Sequence, residues 1–265
     1  MEKIAIISDI HANLSALRAV MADIESKNVD KLFCLGDYVV KCTRPAEVID
    51  LLREKCDGMI KGNCDDTLCR PGVEPGKFWS RDLIGEERTE FIYNLPNCIE
   101  FYLSGQLVRL FHATPFSNSV IFNPAYNNND KIIREILDDP AEMFKNNEYI
   151  GKKEVDKTPD VVGYGHIHTQ NFLRFGNKTL FNPGSVGNPV EMENSEGGDK
   201  EKNMFSTMAS YAILTGDFDS RKLGSISFDF IRVPYDIKEE IEELEKSDMP
   251  FKDRAIEALN IAYVR

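Results

Sequence analysis

Four histidines stand out in this sequence, because each follows a segment that is rich in apolar and β-branched residues and so predicts a β-strand: His11, His112, His166 and His168. Three more polar residues follow similar segments: Asp9, Asp37 and Asn63. Imidazole and carboxylate groups together suit divalent transition metals, and a carboxylate between two ions can bridge them. The pattern therefore predicts a dinuclear metal site built from these residues.

Each of these motifs also has an ordinary structural interpretation. The Asp9 motif is typical of a loop that leads into a helix, and the Gly-Asp pair at Asp37 is common in turns. The Asn63 motif could be a turn into a helix whose N-cap is Asp65 or Asp66. Taken in their order along the chain, the motifs favour a shared chemical role over unrelated turns.

The elements that position these residues are predicted to alternate between strand and helix, at residues 3–7, 14–27, 31–35, 46–56 and 58–61. Asp9 and Asp37 are 28 residues apart, and Asp37 and Asn63 are 26 apart. Each spacing is close to the about 30 residues of a βαβ unit. Because ligands bind outside the carboxyl ends of strands in open α/β sheets, we expect the motifs to meet at one edge.

The rest of the sequence predicts mostly strands. After a helix at 81–93 we expect strands at 99–103, 106–111, 161–164, 172–175, 179–181, 211–215 and 225–233, and a charged helix at 238–246. Residues 114–159, with a helix at 131–137, predict either a cap over the site or a surface insertion. Residues 191–206 predict a mobile loop. We expect a single domain across 1–265.

The ordered segments SDIH, GDY, GNCD, FHAT and GHIH resemble the motifs of the calcineurin-like metallophosphoesterase superfamily, from residue 1 to about residue 190. GNCD resembles a bacterial and archaeal branch of that family. The resemblance implies an α/β fold of two mixed β-sheets in a sandwich flanked by helices, an αββα arrangement. It also implies how the ligands divide: Asp9, His11 and His168 on one ion, Asn63, His112 and His166 on the other, and Asp37 as the bridge.

The implied reaction is hydrolysis of a phosphate ester by a metal-bound hydroxide. Two ions about 3.5–4 Å apart can clamp a phosphoryl group, and a metal can lower the pKa of bound water toward about 7. The motifs supply no Ser or Cys beside a general base, so we expect in-line attack without a phosphoenzyme. The donor set admits Mn, Fe, Zn, Co or Ni, of which we expect manganese to restore activity. The residues expected to act in catalysis are Asp37, Asn63, Cys64 and His112.

Substrate contacts are predicted at Asn63, Cys64 and Arg44. Many family members carry His at the position of Cys64, where it can protonate the leaving group; a thiol is a weaker donor and carries no positive charge. Cys64 could instead be a packing residue. Arg44 could reach a substrate phosphate or be solvated. Residues 182–187, NPGSVG, resemble a segment that shapes the pocket floor in related proteins, or could be a structural turn.

The charge and the apolar content of the chain limit the classes of substrate and the location that we expect. A net charge of −12 argues against binding of long nucleic acid. The sequence shows no apolar run near the roughly 18 residues of a membrane span and no signal peptide, so we expect a cytoplasmic protein whose six cysteines are reduced.

We expect a small phosphodiester or a nucleotide polyphosphate, such as diadenosine tetraphosphate, as substrate. The alternatives are a Ser/Thr protein phosphatase and a non-catalytic metal-binding module with the same fold; the oligomeric state is not predicted.

Overall fold

Short strands whose residues are buried on both faces form the centre of the molecule. In β1 (Glu2–Ile7), Ile4 and Ile6 point to one side and Ala5 and Ile7 to the other, as the two-residue period of a strand requires. Burial on both sides explains why this segment is apolar throughout instead of alternating. The structure is a computed structural model that describes residues 1–74, 76, 78–124, 130–138, 149–150, 157–192 and 204–264.

The first sheet has the strand order β13-β12-β1-β2-β3, with β1, β2 and β3 parallel and β12 and β13 antiparallel to their neighbours. Its other strands are β2 (Lys31–Cys34), β3 (Gly58–Met59), β12 (Met208–Gly216) and β13 (Ser227–Pro234). Helices α1 (Leu14–Ser26) and α2 (Pro45–Lys55) connect the parallel strands. Their apolar faces pack in one cluster with Ala5 and Ile7.

The second sheet has the order β6-β4-β5-β7-β9-β8 and is also mixed. Strands β5, β7 and β9 run parallel, β4 is antiparallel to β5 but parallel to β6, and β8 is antiparallel to β9. Its strands are β4 (Cys98–Leu103), β5 (Gln106–Phe111), β6 (Tyr149–Ile150), β7 (Val161–Tyr164), β8 (Asn171–Phe175) and β9 (Lys178–Asn182). A separate pair is formed by β10 (Val190–Met192) and β11 (Met204–Phe205).

Three hydrophobic clusters define the layers. The inner faces of the two sheets meet in a cluster that includes Ile4, Leu110, Phe181 and Leu214. The outer face of the second sheet packs against α5 (Asp130–Asp138) through residues such as Ile136. The remaining helices are α3 (Asn63–Cys69), α4 (Trp79–Tyr93), α6 (Ile237–Lys246) and α7 (Lys252–Val264). The predicted αββα sandwich is therefore confirmed.

The strands and helices predicted in the two sheets and their flanks agree with the structure to within about two or three residues at each end. One N-cap prediction is wrong: Gly62, not Asp65 or Asp66, is the N-cap of α3. The sequence analysis also missed α7, β6, β10 and β11. Of the proposed cap and loop, residues 125–129, 139–148, 151–156 and 193–203 lie outside the described residues. No helix in the described part of the chain is long and apolar enough to cross a membrane.

A buried ion pair attaches α6 to the first sheet's helices. Arg44, the N-cap residue of α2, donates from Nη2 to Glu240 Oε2 at 2.8 Å and from Nη1 to Glu239 Oε1 at 3.0 Å. Ser15 of α1 joins the same network. The Glu240 side chain is fully buried, whereas Arg44 keeps 12% of its side chain exposed. Arg44 therefore holds three helices together.

We predict that Arg44→Met lowers the free energy of unfolding by about 3–5 kcal/mol, because it leaves the buried Glu240 carboxylate without its partner. Burial already raises the pKa of Glu240. When the pKa of a carboxyl is higher in the folded than in the unfolded state, the folded state loses stability as the pH rises above the unfolded-state pKa. The loss of unfolding free energy in Arg44→Met should therefore be larger at pH 8 than at pH 5. Urea denaturation at both pH values measures it.

The control is Arg53→Met, which removes an ion pair to Glu87, a residue whose side chain is 72% exposed. It should cost no more than about 1 kcal/mol. Equal losses for the two variants would show that the Arg44 network contributes little.

Candidate metal centre

The loops that follow five strands bring the predicted ligands to one place between the two sheets. Asp9 and His11 follow β1, Asp37 follows β2, and Asn63 begins α3 after β3. From the second sheet, His112 follows β5, and the pair His166 and His168 follows β7. Because β1, β2 and β3 are parallel, and β5 and β7 are parallel, each sheet presents its carboxyl ends on one side.

Five of the seven residues adopt a backbone conformation that non-glycine residues rarely take. Their φ angles are positive: 54° at Asp9, 51° at His11, 56° at Asp37, 69° at His166 and 62° at His168. Each such residue costs of order 1–3 kcal/mol, so the surroundings must enforce the conformation. Such positions cluster at functional sites.

Backbone hydrogen bonds between the loops enforce this geometry. The Asp9 N–H donates to Gly36 O at 3.0 Å, and the His11 N–H donates to Asp37 O at 2.9 Å. From the other side, the Gly187 N–H donates to Asp9 O at 3.0 Å. A Cβ on Gly187 would lie 1.8 Å from Ile10 O, so only glycine permits this approach. Residues 182–187 thus support the Asp9 loop directly.

The side chains form two groups that share Asp37. In the first, His168 Nε2 lies 3.3 Å and His11 Nε2 lies 3.9 Å from Asp9 Oδ1. Asp37 faces both groups: its Oδ2 is 3.8 Å from His11 Nε2, and its Oδ1 is 3.6 Å from His112 Nε2.

The second group contains the remaining predicted ligands. His112 Nε2 lies 3.0 Å from Asn63 Oδ1, and the rings of His112 and His166 have centroids 5.2 Å apart. The His166 N–H donates to Asp9 Oδ2 at 2.9 Å, which connects the two groups. The structure thus brings all seven predicted residues together.

Three backbone carbonyls orient the imidazole rings. His11 Nδ1 lies 3.2 Å from Val39 O, His112 Nδ1 lies 2.7 Å from Leu35 O, and His168 Nδ1 lies 2.7 Å from Asn188 O. A carbonyl can only accept, so each Nδ1 carries a hydrogen, and in a neutral ring the Nε2 lone pair is directed into the cluster. Metal-binding histidines are commonly oriented in this way.

The result is a set of acceptors that face one another without hydrogens between them. His11 Nε2 and His168 Nε2 are only 3.1 Å apart. Two more buried acceptor atoms, Asp9 Oδ1 and His166 Nε2, have no hydrogen-bond partner among the described residues. Buried acceptors in this arrangement are costly unless a cation satisfies them. The described residues therefore fit a pair of divalent metal ions.

The electrostatics of the histidines fit the same conclusion. Burial lowers the pKa of His11 and, together with the nearby His112, lowers the pKa of His166 to about 4, so both rings are neutral at pH 7. Burial would also lower the pKa of His112, but the carboxylates of Asp37 and Asp9 outweigh it and raise that pKa. A bound cation would have to displace the proton from His112.

Asp65 acts as a support for the bridging residue. Its carboxylate accepts from the N–H groups of Asp37 at 2.7 Å, Tyr38 at 3.0 Å and Gly62 at 2.9 Å. Burial and the Asp37 charge raise its pKa to about 7 despite these donors. Asp65 therefore fixes the loops after β2 and β3 to each other, a role that the sequence analysis did not assign.

Cys64 lies at the cluster and not only in the core. Its N–H donates to Asp37 Oδ1 at 2.9 Å, and its Sγ lies within 4.8 Å of ligand atoms of His11 and Asp37. Burial and the Asp37 carboxylate raise the pKa of the thiol well above its usual value, so it stays protonated. The same half-buried side chain also packs against the core cluster of the first sheet.

Arg44 does not join the cluster. Its guanidinium donates to Glu239 and Glu240 of α6, so it is engaged in the fold and the structure offers no support for the predicted phosphate contact. The cation beside the site is Lys41, which the sequence analysis overlooked: its Nζ lies 3.5 Å from His168 Nε2. Val40 and Lys41 both have positive φ, at 63° and 72°. This turn carries Lys41 back toward the metal centre.

A cavity of about 750 Å³ opens beside the cluster, with His166 and His168 in its wall. Elements from distant parts of the sequence line it, including the start of α4 and one face of α7. Asn188, whose carbonyl orients His168, also lies in its wall. The cluster can therefore act on a ligand that is held in this cavity.

Comparison with known proteins gives consistent findings. The model of the calcineurin-like phosphoesterase superfamily domain matches residues 2–198. An uncharacterized protein of Methanocaldococcus jannaschii, MJ0912, is 30% identical over 258 residues, which cover 93% of each chain. Among solved structures, a metallophosphoesterase from Sphaerobacter thermophilus matches with a TM-score of 0.68 and 23% identity, covering 98% of this chain and 99% of that one. The hypothetical protein PH1004 from Pyrococcus horikoshii OT3 matches with a TM-score of 0.67, 16% identity and 98% coverage of both. These two likenesses concern the fold.

We predict that Asp37→Asn weakens binding of both metal ions by more than about 100-fold, because it removes the charge that both groups share. Metal content after dialysis, measured by mass spectrometry, and hydrolysis of an aryl phosphodiester test this. Asp66→Asn is the control, since the Asp66 carboxylate faces Asn118 and Lys61 and not the cluster. Two tightly bound ions and near-normal turnover in Asp37→Asn would exclude a bridging role.

We predict that Cys64→His raises hydrolysis of esters with poor leaving groups by about tenfold or more, and that of activated aryl esters much less. A well-placed general acid contributes about 10²–10⁴-fold when the leaving group needs protonation. Rates for a graded ester series, at matched metal content, give the slope against leaving-group pKa. Cys56→Ala, at the far end of α2, is the control. Parallel slopes for Cys64→His and the natural protein would leave Cys64 as a packing residue.

Proposed function

The chain belongs to the calcineurin-like phosphoesterase superfamily, and on that basis we propose that it hydrolyses a small phosphodiester with the help of two divalent metal ions. The observation that carries the proposal is the convergence of seven potential ligand side chains, of which five are buried and two, Asn63 and His166, are half-buried. A non-catalytic module has no need for such a cluster to lie open to a cavity. Members that lost activity would be expected to lose ligands, whereas this chain keeps all seven.

The residues proposed to hold the ions divide around Asp37. Asp9, His11 and His168 would hold one, and Asn63, His112 and His166 the other. When bound, the two ions would neutralise phosphate charge and make water a strong nucleophile near neutral pH. The ligands alone do not select one ion. We propose manganese as the metal that restores activity.

The chain's own residues would bind and orient the phosphate. Lys41 brings a positive charge to the edge of the centre, and Asn63 Nδ2 is directed toward Cys64 Sγ at 3.6 Å, on the side where a substrate oxygen would lie. The Cys64 thiol could donate a weak hydrogen bond to the leaving group.

Direct attack by water, without a phosphoenzyme, is supported by the serines beside the site. Ser8 donates to Asp9 Oδ2 at 2.6 Å, and Ser185 donates to Asp9 O at 2.7 Å. Both hydroxyls are thus engaged with the Asp9 loop, and no described histidine acts as their base.

The concave shape of the cavity favours a small molecule over a phosphoprotein. A protein phosphatase needs an open groove that admits a folded partner, whereas α7 and the start of α4 wall this site. A singly charged diester also suits the single lysine at the metal end. A nucleotide polyphosphate would need further donors for its additional phosphates, but Arg44, the predicted phosphate contact, faces α6. We propose the cytoplasm as its location.

We predict that the manganese-loaded protein hydrolyses a small aryl phosphodiester at least about tenfold better than a phosphopeptide in kcat/KM. This ratio corresponds to about 1.4 kcal/mol of transition-state binding. Chelated protein and Asp37→Asn serve as controls for metal dependence. A preference for the phosphopeptide would favour the protein phosphatase, and absence of turnover with both ions bound would favour the non-catalytic module.

A further inference from the structure

The cavity beside the metal centre has a lining that indicates what kind of substrate it holds. We propose that it binds a large hydrophobic organic group, aliphatic or aromatic, that is esterified to the phosphate. This inference rests on the proposed function, because the phosphate is placed at the metal cluster. It adds that the organic part of the substrate is recognised by hydrophobic burial instead of by base-specific hydrogen bonds.

The position of the cavity supports the assignment. His166, His168 and Lys41 lie at one part of its wall, so a phosphate at the metal centre would be in direct contact with the cavity's contents. Its volume of about 750 Å³ is several times what a phosphate alone would need and falls within the about 300–1,000 Å³ of small-molecule sites. The space beyond the metal centre must therefore receive the rest of the molecule.

Most of the described wall is apolar. It is supplied mainly by α3, the start of α4, the segment before α5, the loop after β7, and the segment from Met249 to the middle of α7, with further residues from the loops after β2 and β9. The larger apolar side chains among them are Leu68, Phe78, Trp79, Ile121, Met249 and Leu259. Removing apolar area from water is the main source of affinity that such a wall can offer.

Several polar atoms in the wall already have partners. Trp79 Nε1 donates to Asp248 at 2.9 Å, Ser206 Oγ accepts from Arg232 Nη2 at 2.9 Å, and the Tyr235 hydroxyl lies 3.4 Å from Asn13 Nδ2. A nucleobase has donors and acceptors along its edge that lose hydrogen bonds to water on burial. A hydrophobic group has no such requirement, so the wall suits it better than a base.

The charge of the wall fits an anionic ester. Among the described residues that line the cavity, Lys41 and Arg254 are cationic and none is a carboxylate. This composition contrasts with the net charge of −12 of the whole chain. An anion entering this cavity is therefore spared the repulsion that most of the surface would exert.

Binding of alkyl phosphates of increasing chain length tests the proposal. We expect the dissociation constant of the manganese-loaded protein, measured by calorimetry, to fall about fourfold per methylene from butyl to octyl phosphate. Octyl phosphate should bind at least about tenfold more tightly than adenosine monophosphate. Comparison of phenyl with hexyl phosphate separates an aromatic from an aliphatic preference.

Two cavity variants should reduce this chain-length dependence. Ala258→Phe places a ring in the cavity from α7, and Phe251→Ser removes an aromatic side chain that is 79% exposed and belongs to none of the three hydrophobic clusters. In both, the ratio of octyl to methyl phosphate affinity should fall at least about tenfold. Glu257→Phe introduces the same side chain at a neighbouring exposed position and should keep the ratio of the natural protein.

The outcomes separate the two proposals. Affinities that do not depend on chain length, or tighter binding of the nucleotide, would overturn the hydrophobic assignment even if aryl phosphodiesters are hydrolysed. Chain-length dependence that Ala258→Phe and Phe251→Ser both leave unchanged would also overturn it. Dependence that the two variants remove, in a protein that turns over no ester, would support the cavity assignment and reject the proposed reaction.

Discussion

The cost of burying acceptors that face one another is the constraint on which the rest of this structure depends. His11 Nε2 and His168 Nε2 approach to 3.1 Å, and no described residue donates a hydrogen bond to Asp9 Oδ1. A cation relieves this repulsion, but the protein must hold the groups in place before the ion arrives. The positive φ angles, the carbonyls that orient the rings and the three N–H groups that fix Asp65 all serve this preorganisation. Much of the local backbone is thus explained by the metal centre.

The sequence was sufficient to predict most strands of the two sheets and the seven polar residues that the structure brings together, because both depend on local pattern. Apolar runs of strand length followed by polar residues identify strand ends, and parallel strands bring those ends together. The ligands therefore could be named from Asp9 to His168 without knowledge of the tertiary structure. Their roles as metal ligands stay predictions, although the structure brings them together as expected.

Contacts between distant segments could not be predicted in the same way. Arg44 is near Asp37 in sequence, but its partners Glu239 and Glu240 lie about 195 residues away, so a phosphate contact and an ion pair were indistinguishable. The sequence pattern did not indicate that Lys41 lies beside the site, because its approach to His168 depends on two residues with positive φ. Likewise, the position of Asp65 before a helical segment predicts an N-cap. In the structure Gly62 approaches Asp37 closely, and Asp65 therefore supports the two loops that carry them. The helix α7 was missed because its contribution is one wall of a cavity and not a continuous apolar face.

The separation of α7 from the ligand loops in the sequence has a consequence for how this protein could diversify. The predicted metal ligands come from the loops after β1, β2, β3, β5 and β7, and none comes from α7. The reactive centre and the wall that selects the organic group are therefore separate in sequence and meet only in space. Substitutions along α7 can change the shape of the cavity while the backbone that holds the ions stays as it is. One ancestral centre could in this way serve many different esters, with a single helix as the variable part.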